Sequence, residues 1–102
     1  MKRVMVRYRV KAGREAENEK YIQAVFAELE QKAPPGIRYA SFKLPDGVSF
    51  VHIAFIDTEN GENPLLALAS FQEFSRTVKD RVEEGPVSTE LTPVGDHRFT
   101  NP

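Results

Sequence analysis

The chain of 102 residues has the length of one domain, and its 40% hydrophobic and 28% charged residues are typical of a globular protein. Its formal net charge of −1 argues against a surface for nucleic acid or anionic membranes, which requires clustered Lys and Arg in excess. The absence of cysteine excludes disulfides, thiolate metal sites and a cysteine nucleophile. Two histidines without HExxH-type spacing give no reason to expect a metal site.

The first ten residues, MKRVMVRYRV, carry the charges of a signal peptide but lack its apolar core. No run in the sequence is long and apolar enough for a transmembrane helix. We therefore expect a soluble cytoplasmic protein without a membrane partner.

The first part of the chain predicts a strand followed by a helix. Residues 4–10 alternate between two sets of side chains, as in a half-buried strand. From Arg14 to about Lys32 apolar residues recur at helical spacing, and the Glu-rich runs between them are typical of a solvated helix face. Pro34-Pro35-Gly36 then ends the helix.

A hairpin is predicted next. Residues 37–44 and 48–56 are two β-prone runs, and Pro45-Asp46-Gly47 between them has the composition of a turn, because proline presets φ and glycine accepts a positive φ. The second run also resembles the octamer of RNA-recognition motifs. That octamer needs a basic first residue and two stacking aromatics, whereas this chain has Asp46, Val48 and only Phe50, so we do not expect RNA binding.

The last part of the chain predicts a second helix and a final strand. Asn63-Pro64 is a helix start, and Ser70 with Glu73 forms a capping box from which the main helix continues to Gly85-Pro86. Residues 87–94 predict the last strand, and residues 96–102 a flexible or strand-extending tail of the single domain 1–102.

The order strand-helix-strand-strand-helix-strand predicts a ferredoxin-like α+β fold, with a four-stranded antiparallel sheet and both helices on one face. We assign Val4, Val6, Val51, Ile53 and Phe55 to the helix-covered face. The opposite face, with Met5, Arg7, Arg9, Phe50, His52, Ala54 and Ile56, is too apolar for solvent and too charged for a monomer core. We therefore predict a homodimer that packs sheet to sheet. Its interface candidates are Arg7, Arg9, Phe50, His52 and Glu90, the last as the partner of one of the arginines.

The segments VKAGREAENEKYIQ and NPLLALASFQEFSRTVKDR, with the Pro-Asp-Gly hairpin between them, resemble the dimeric α/β-barrel superfamily, and within it the antibiotic-biosynthesis-monooxygenase-type proteins. The resemblance lies in lengths, turns and apolar positions of residues 3–95. It implies a homodimeric barrel, a small pocket between sheet and helices, and oxidation of an aromatic molecule without a cofactor. The chain departs from the active members in having no tryptophan, and from the haem-degrading branch in having no histidine in its second helix.

His52 is the only histidine within a predicted strand or helix, so it is the candidate catalytic base for an acidic phenol; the alternative is a histidine that is hydrogen-bonded in the interface. Tyr39 and Ser41 share a strand face and are candidates to orient a substrate. We also keep open a non-catalytic dimeric ligand-binding or regulatory module, which a core plugged by aromatic side chains would favour over an empty cavity. The candidates to line an apolar pocket are Tyr8, Tyr21, Phe26, Phe71 and Phe74, with ordinary core packing as the alternative.

Overall fold

Two strands flank a long helix at the start of the chain. In the computed structural model, which describes residues 1–99, strand β1 is Lys2–Val10, helix α1 is Glu15–Lys32 and strand β2 is Ile37–Lys43. Strand β3, Ser49–Ile56, completes the predicted hairpin. These bounds lie within two residues of the expected ones.

The second half repeats the helix-strand order. A single 3₁₀ turn at Pro64–Ala67 leads into helix α2, Ala69–Arg81, and strand β4, Val82–Glu90. The predicted cap at Asn63 is present, because its side-chain oxygen accepts a hydrogen bond from the Leu65 N–H at 3.0 Å. None of the helices in the described part of the chain has the length and hydropathy needed to cross a bilayer.

The strands form one antiparallel sheet in the order β2-β3-β1-β4, which confirms the predicted ferredoxin-like fold. Helices α1 and α2 pack side by side over one face of this sheet. Between sheet and helices lies one core cluster, built from Tyr8, Val10, Ile22, Val25, Phe50, Leu65, Leu68, Phe74 and Val78.

The assignment of β3 to the two faces was wrong. In the register of β1 with β3, Val6 pairs with His52 and Tyr8 with Phe50, so paired side chains share the helix-covered face. His52 and Phe50 are 4% and 2% exposed there, which removes both from the predicted sheet-to-sheet interface. Val51, Ile53 and Phe55 lie on the opposite face, which we call the outer face, together with Arg7 and Arg9.

Glu90 does not stand beside Arg7 or Arg9 as predicted. It pairs with Val4 at the other end of β1, whereas the Arg9 Nε lies 3.7 Å from the Glu83 carboxylate. The sequence pattern gave no register for β4, and the register decides which acid meets which arginine.

Helix α2 begins and ends differently from the prediction. Ser70 lies inside the helix, and the Glu28 carboxylate of α1 accepts hydrogen bonds from both its N–H and its hydroxyl, so Glu28 takes the place of the capping box. Part of the Glu-rich run that we assigned to solvent therefore fixes one helix to the other. The helix stops at Arg81, and β4 starts at once with a bulge at Gly85, where a Cβ would lie 2.8 Å from the Arg7 carbonyl oxygen.

The last strand ends at Glu90 rather than at Val94. Residues 97–99 of the predicted tail form bends, and the Phe99 ring lies 5.8 Å from that of Phe55 on the outer face. Residues 100–102 of that tail lie outside the described residues.

Candidate functional site

A cleft of about 660 Å³ opens between the sheet, the 3₁₀ turn and helix α2. Its walls are mostly apolar, with Val6, Ala54 and Ile56 from the sheet facing Leu65, Phe71 and Phe74. His52 and Tyr39 also line it, and His52 is almost fully buried, whereas Lys2, Glu62 and Lys79 are exposed. This inner cleft is therefore an apolar chamber with a polar deep end and a charged mouth.

The His52 ring is hydrogen-bonded through both nitrogens. Its Nε2 lies 2.7 Å from the Tyr8 hydroxyl, and its Nδ1 lies 2.7 Å from the Tyr39 hydroxyl and 2.8 Å from that of Ser41. Tyr39 and Ser41 lie on the helix-covered face of β2, where Ser41 pairs with His52. The predicted pair on this strand thus contacts the histidine itself.

Two residues extend these contacts into the helices. Asn18 of α1 donates from Nδ2 to the Tyr8 hydroxyl at 2.8 Å, and its Oδ1 accepts from the Arg81 Nε at 3.1 Å. Both Asn18 and Arg81 are fully buried. Arg81, Asn18, Tyr8 and His52 therefore form one continuous polar chain, which ends at Tyr39 and Ser41.

Arg81 is held in place by aromatic and polar neighbours. Its guanidinium lies 4.2 Å from the centre of the Tyr21 ring and 5.5 Å from that of Phe74, and its Nη1 donates to the Thr77 hydroxyl at 2.8 Å. Its Nη2 has no hydrogen-bond acceptor among residues 1–99. Stacking on rings partly replaces the water that this cation loses.

Burial sets the protonation states along the chain. Desolvation lowers the pKa of His52 to about 4, so the imidazole is neutral near pH 7. Desolvation likewise raises the pKa of Tyr39 to about 12, and it raises the pKa of Tyr8 still further. All three side chains are therefore neutral donors and acceptors at physiological pH.

The predicted pocket residues divide into two groups. Phe71 and Phe74 line the inner cleft. Tyr8, Tyr21 and Phe26 do not, because they pack on Phe50, on Arg81 and on Tyr39 respectively. Since the cleft is open, the aromatic side chains do not plug it.

Asn18 and Arg81 were missed from the sequence because both lie among charged residues. The signal that could have found them is helical spacing. Asn18 precedes Ile22 and Val25 by four and seven residues, and Arg81 follows Phe74 and Val78 by seven and three, so each polar residue continues an apolar stripe. Within residues 1–99 no group of three or more His, Asp or Glu side chains is placed to hold a metal ion.

No protein-family model matches the sequence, and no curated protein is significantly similar to it. Solved structures do match. A provisionally assigned antibiotic biosynthesis monooxygenase from Nitrosomonas europaea is 16% identical, with a TM-score of 0.77 over 93% of this chain and 100% of that one. The cofactor-independent oxygenase SnoaB from Streptomyces nogalater, in its N63A mutant, is 18% identical, with a TM-score of 0.68 over 93% and 94%. The chain therefore has the fold of the antibiotic biosynthesis monooxygenases, as the sequence resemblance implied.

Proposed function

We propose that this protein is a homodimer that binds a small aromatic molecule in the inner cleft and oxidises it without a cofactor. The observation that carries the proposal is the cleft, with about 660 Å³ of space between apolar walls and a neutral polar group at its deep end. Small-molecule sites are typically of this size, mostly apolar, and carry few polar groups that orient the ligand. A neighbour in fold is named as a cofactor-independent oxygenase, which supports the reaction type.

The reaction needs only the substrate and molecular oxygen. A CH₂ group next to a carbonyl loses a proton to water, and the enolate adds O₂ at carbon to form a hydroperoxide once the oxygen takes a proton back. Loss of water then leaves a ketone. One oxygen atom ends in the ketone and one in water, and the substrate supplies all four electrons, so no external reductant is required.

His52 enters this proposal with a different role from the predicted one. Because its pKa is about 4 and both ring nitrogens contact protein hydroxyls, it is a weak base for a substrate proton. The same contacts make it suited to orient Tyr39 at the deep end of the cleft. Unchanged turnover in His52→Ala would remove His52 from the site.

The experiment measures oxygen uptake with anthrone-type substrates above the uncatalysed rate, with the ketone product quantified in parallel. Ala54→Phe places a ring inside the cleft and should return uptake to the uncatalysed rate, because Ala54 lines the wall. Ala24→Phe, the same change on the exposed side of α1, is the matched control and should retain activity. Equal rates in both variants would overturn the assignment of the cleft.

A second candidate is a non-catalytic ligand-binding module. The observation that favours it is the full hydrogen bonding of the His52 ring, which leaves no free base at the deep end of the cleft. Ligand binding that Ala54→Phe abolishes, without any oxygen uptake in the parent protein, would identify this function.

The homodimer is supported by the outer face. There Phe42 and Val87 are 51% and 60% exposed on a sheet that also carries Val51, Ile53 and Phe55. An exposed apolar sheet surface of this kind is typical of protein interfaces, which supports the proposal. A shallow recess of about 400 Å³ brings Arg7 and Arg9 together with Asp46 and Glu84, so both signs of charge are available for pairing across a two-fold axis.

Light scattering tests the dimer directly. We expect twice the mass of the chain at tens of micromolar, and the mass of one chain for Ile53→Glu, which adds a charge at the centre of the outer face. Ala24→Glu on exposed helix α1 should stay dimeric. A parent protein that is monomeric at this concentration would contradict the proposal.

A further inference from the structure

We propose that the inner cleft selects aromatic ligands with a hydrogen-bond-accepting oxygen, a ketone or its enolate, over ligands that offer a donor. The reason is that each group of the polar chain from Arg81 to Tyr39 donates a hydrogen bond to the next, so that the chain ends in a donor at the cleft. This inference rests on the proposed ligand binding in the inner cleft. It adds the chemical class that the cleft prefers and names Arg81 and Asn18 as positioning residues.

The direction is set at the Arg81 end. A guanidinium only donates hydrogen bonds, so the Asn18 atom that lies 3.1 Å from the Arg81 Nε must be the carbonyl oxygen. The Asn18 amide nitrogen then points at the Tyr8 hydroxyl, 2.8 Å away, and donates to it. The orientation of this buried amide is therefore fixed by chemistry.

Tyr8 donates the next hydrogen bond of the chain to His52. Its hydroxyl already accepts from Asn18, it is 2% exposed, and the His52 Nε2 at 2.7 Å is available to accept its proton. A buried hydroxyl that kept its proton unbonded would lose a hydrogen bond, so Tyr8 donates and Nε2 accepts. A neutral imidazole has one proton, which must then lie on Nδ1.

Tyr39 accepts the last hydrogen bond of the chain at the deep end of the cleft. The Nδ1–H lies within hydrogen-bonding distance of the Tyr39 and Ser41 hydroxyl oxygens, so both accept from it. Tyr39 lines the inner cleft and Ser41 does not. The Ser41 hydroxyl also contacts that of Tyr39, and by donating to it Ser41 lowers the pKa of Tyr39. The Tyr39 O–H proton is then needed neither by the imidazole nor by Ser41 and can be donated to a ligand oxygen.

The other polar groups that line the cleft do not offer the same contact. Lys2, Glu62 and Lys79 lie at the exposed mouth rather than at the deep end, Ser75 and Ser88 are exposed as well, and the Asn63 oxygen is engaged by the Leu65 N–H. At the deep end the ligand therefore meets a donor. Such a donor stabilises the negative charge of an enolate oxygen, which is the species that would react with O₂.

The decisive variant is Asn18→Asp, a nearly isosteric change that reverses the chain. A carboxylate accepts from both Arg81 and Tyr8, so the Tyr8 oxygen would accept from a protonated Nε2. The Nδ1 would then accept from Tyr39, whose phenol is a stronger donor than the Ser41 hydroxyl beside it. The cleft would then lose its donor. Asn60→Asp, on an exposed loop where the side-chain oxygen accepts from the Glu62 N–H, is the matched control and keeps its contact.

Two readouts are compared in a His97→Asn background, which leaves His52 as the single histidine. Long-range proton–nitrogen NMR identifies the protonated ring nitrogen, and we expect Nδ1 in the parent and Nε2 in Asn18→Asp. Binding of three bicyclic probes, 1-indanone (acceptor), indole (donor) and indane (neither), is followed by chemical-shift titration. We expect 1-indanone to bind about two- to tenfold tighter than indane in the parent, and indole to gain a similar advantage in Asn18→Asp.

The outcomes separate this inference from the proposed function. Equal affinity of the three probes in the parent, or a proton on Nε2, overturns the direction of the chain and leaves ligand binding standing. If no probe binds, the proposed function fails together with the inference. Should Asn18→Asp not fold, Tyr8→Phe removes the hydroxyl that fixes the tautomer, and an unchanged preference for 1-indanone in that variant would contradict the inference.

Discussion

On the helix-covered face of the sheet, the His52 ring is hydrogen-bonded through both nitrogens, and the buried cation behind it stacks on two aromatic rings. On the outer face, Phe42 and Val87 are more than half exposed, and Arg9 has one long, solvent-exposed contact with Glu83. Both faces mix apolar with polar side chains. What differs is how completely the polar groups are satisfied, since a buried polar group must be paired and an exposed one need not be.

The largest expected effect compares one phenylalanine from each face. Phe50→Ala should lower the free energy of unfolding by about 3–5 kcal/mol, because it leaves a cavity against the Tyr8 ring. Phe42→Ala, on the neighbouring strand of the outer face, should cost less than about 1 kcal/mol in urea unfolding of the monomer. Similar losses in the two variants would contradict the assignment of faces. A cost for Phe42→Ala that rises with protein concentration would show that a second chain covers it.

The pH dependence of stability tests the burial of His52. The folded pKa is about 4 and the unfolded value about 6.5, so from pH 6.5 downward the unfolded chain takes up a proton that the folded chain does not. The free energy of unfolding is therefore at its full value above pH 6.5 and falls by about 3 kcal/mol as the pH is lowered towards 4. The groups that face the ring are the hydroxyls of Tyr8, Tyr39 and Ser41 and the Phe74 ring.

Urea unfolding between pH 7 and 4 measures this loss, and His52→Gln should flatten it. His97→Asn, which changes the exposed histidine of the tail, should retain the loss. A parent protein whose free energy of unfolding stays constant down to pH 4.5 would show that His52 is accessible to water.

Substitution of the buried Arg81 should lower the free energy of unfolding somewhat less than protonation at His52 does. Arg81→Met keeps apolar volume against Tyr21 and Phe74 but leaves the Asn18 oxygen without its donor, so we expect a loss of about 2–3 kcal/mol in the free energy of unfolding. Arg76→Met removes an exposed arginine of the same helix that pairs with Glu73, and it should change stability by less than about 0.5 kcal/mol. Equal effects would show that water, rather than Asn18, satisfies Arg81.

The sequence was sufficient for the elements but not for the faces. In β1 the alternation is strict, and Tyr8 and Val10 are buried while Arg7 and Arg9 are exposed, as expected. In β3, SFVHIAFI, apolar residues occupy both faces, so periodicity could not choose between them. The pairing of Val6 with His52 made that choice, and a pairing register is a property of the folded sheet rather than of one strand.

The site was predictable to a similar degree. His52, Phe71 and Phe74 were selected by residue type and do line the cleft, and Tyr39 and Ser41 by their shared strand face. Asn18 and Arg81 are 63 positions apart and meet only because α1 packs on α2. A contact of this kind leaves no local pattern in either helix beyond a polar residue on an apolar stripe.

The smallest expected effect concerns the end of the polar chain at the cleft. Tyr39→Phe removes one of the two hydroxyls at the His52 Nδ1, and Ser41 remains to accept its proton, so the cost in urea unfolding should be about 1 kcal/mol. Tyr21→Phe is the matched control, since its ring, rather than its hydroxyl, contacts Arg81, and it should cost less. The difference between these two variants measures the hydrogen bond from His52 to Tyr39, the residue that we propose donates to the ligand. If Tyr39→Phe is neutral in stability but abolishes the preference for 1-indanone over indane, Tyr39 contributes to ligand binding alone. If the variant costs about 1 kcal/mol and leaves that preference intact, the donor at the deep end of the cleft is a different group. The direction of donation along the polar chain would then have no consequence for binding.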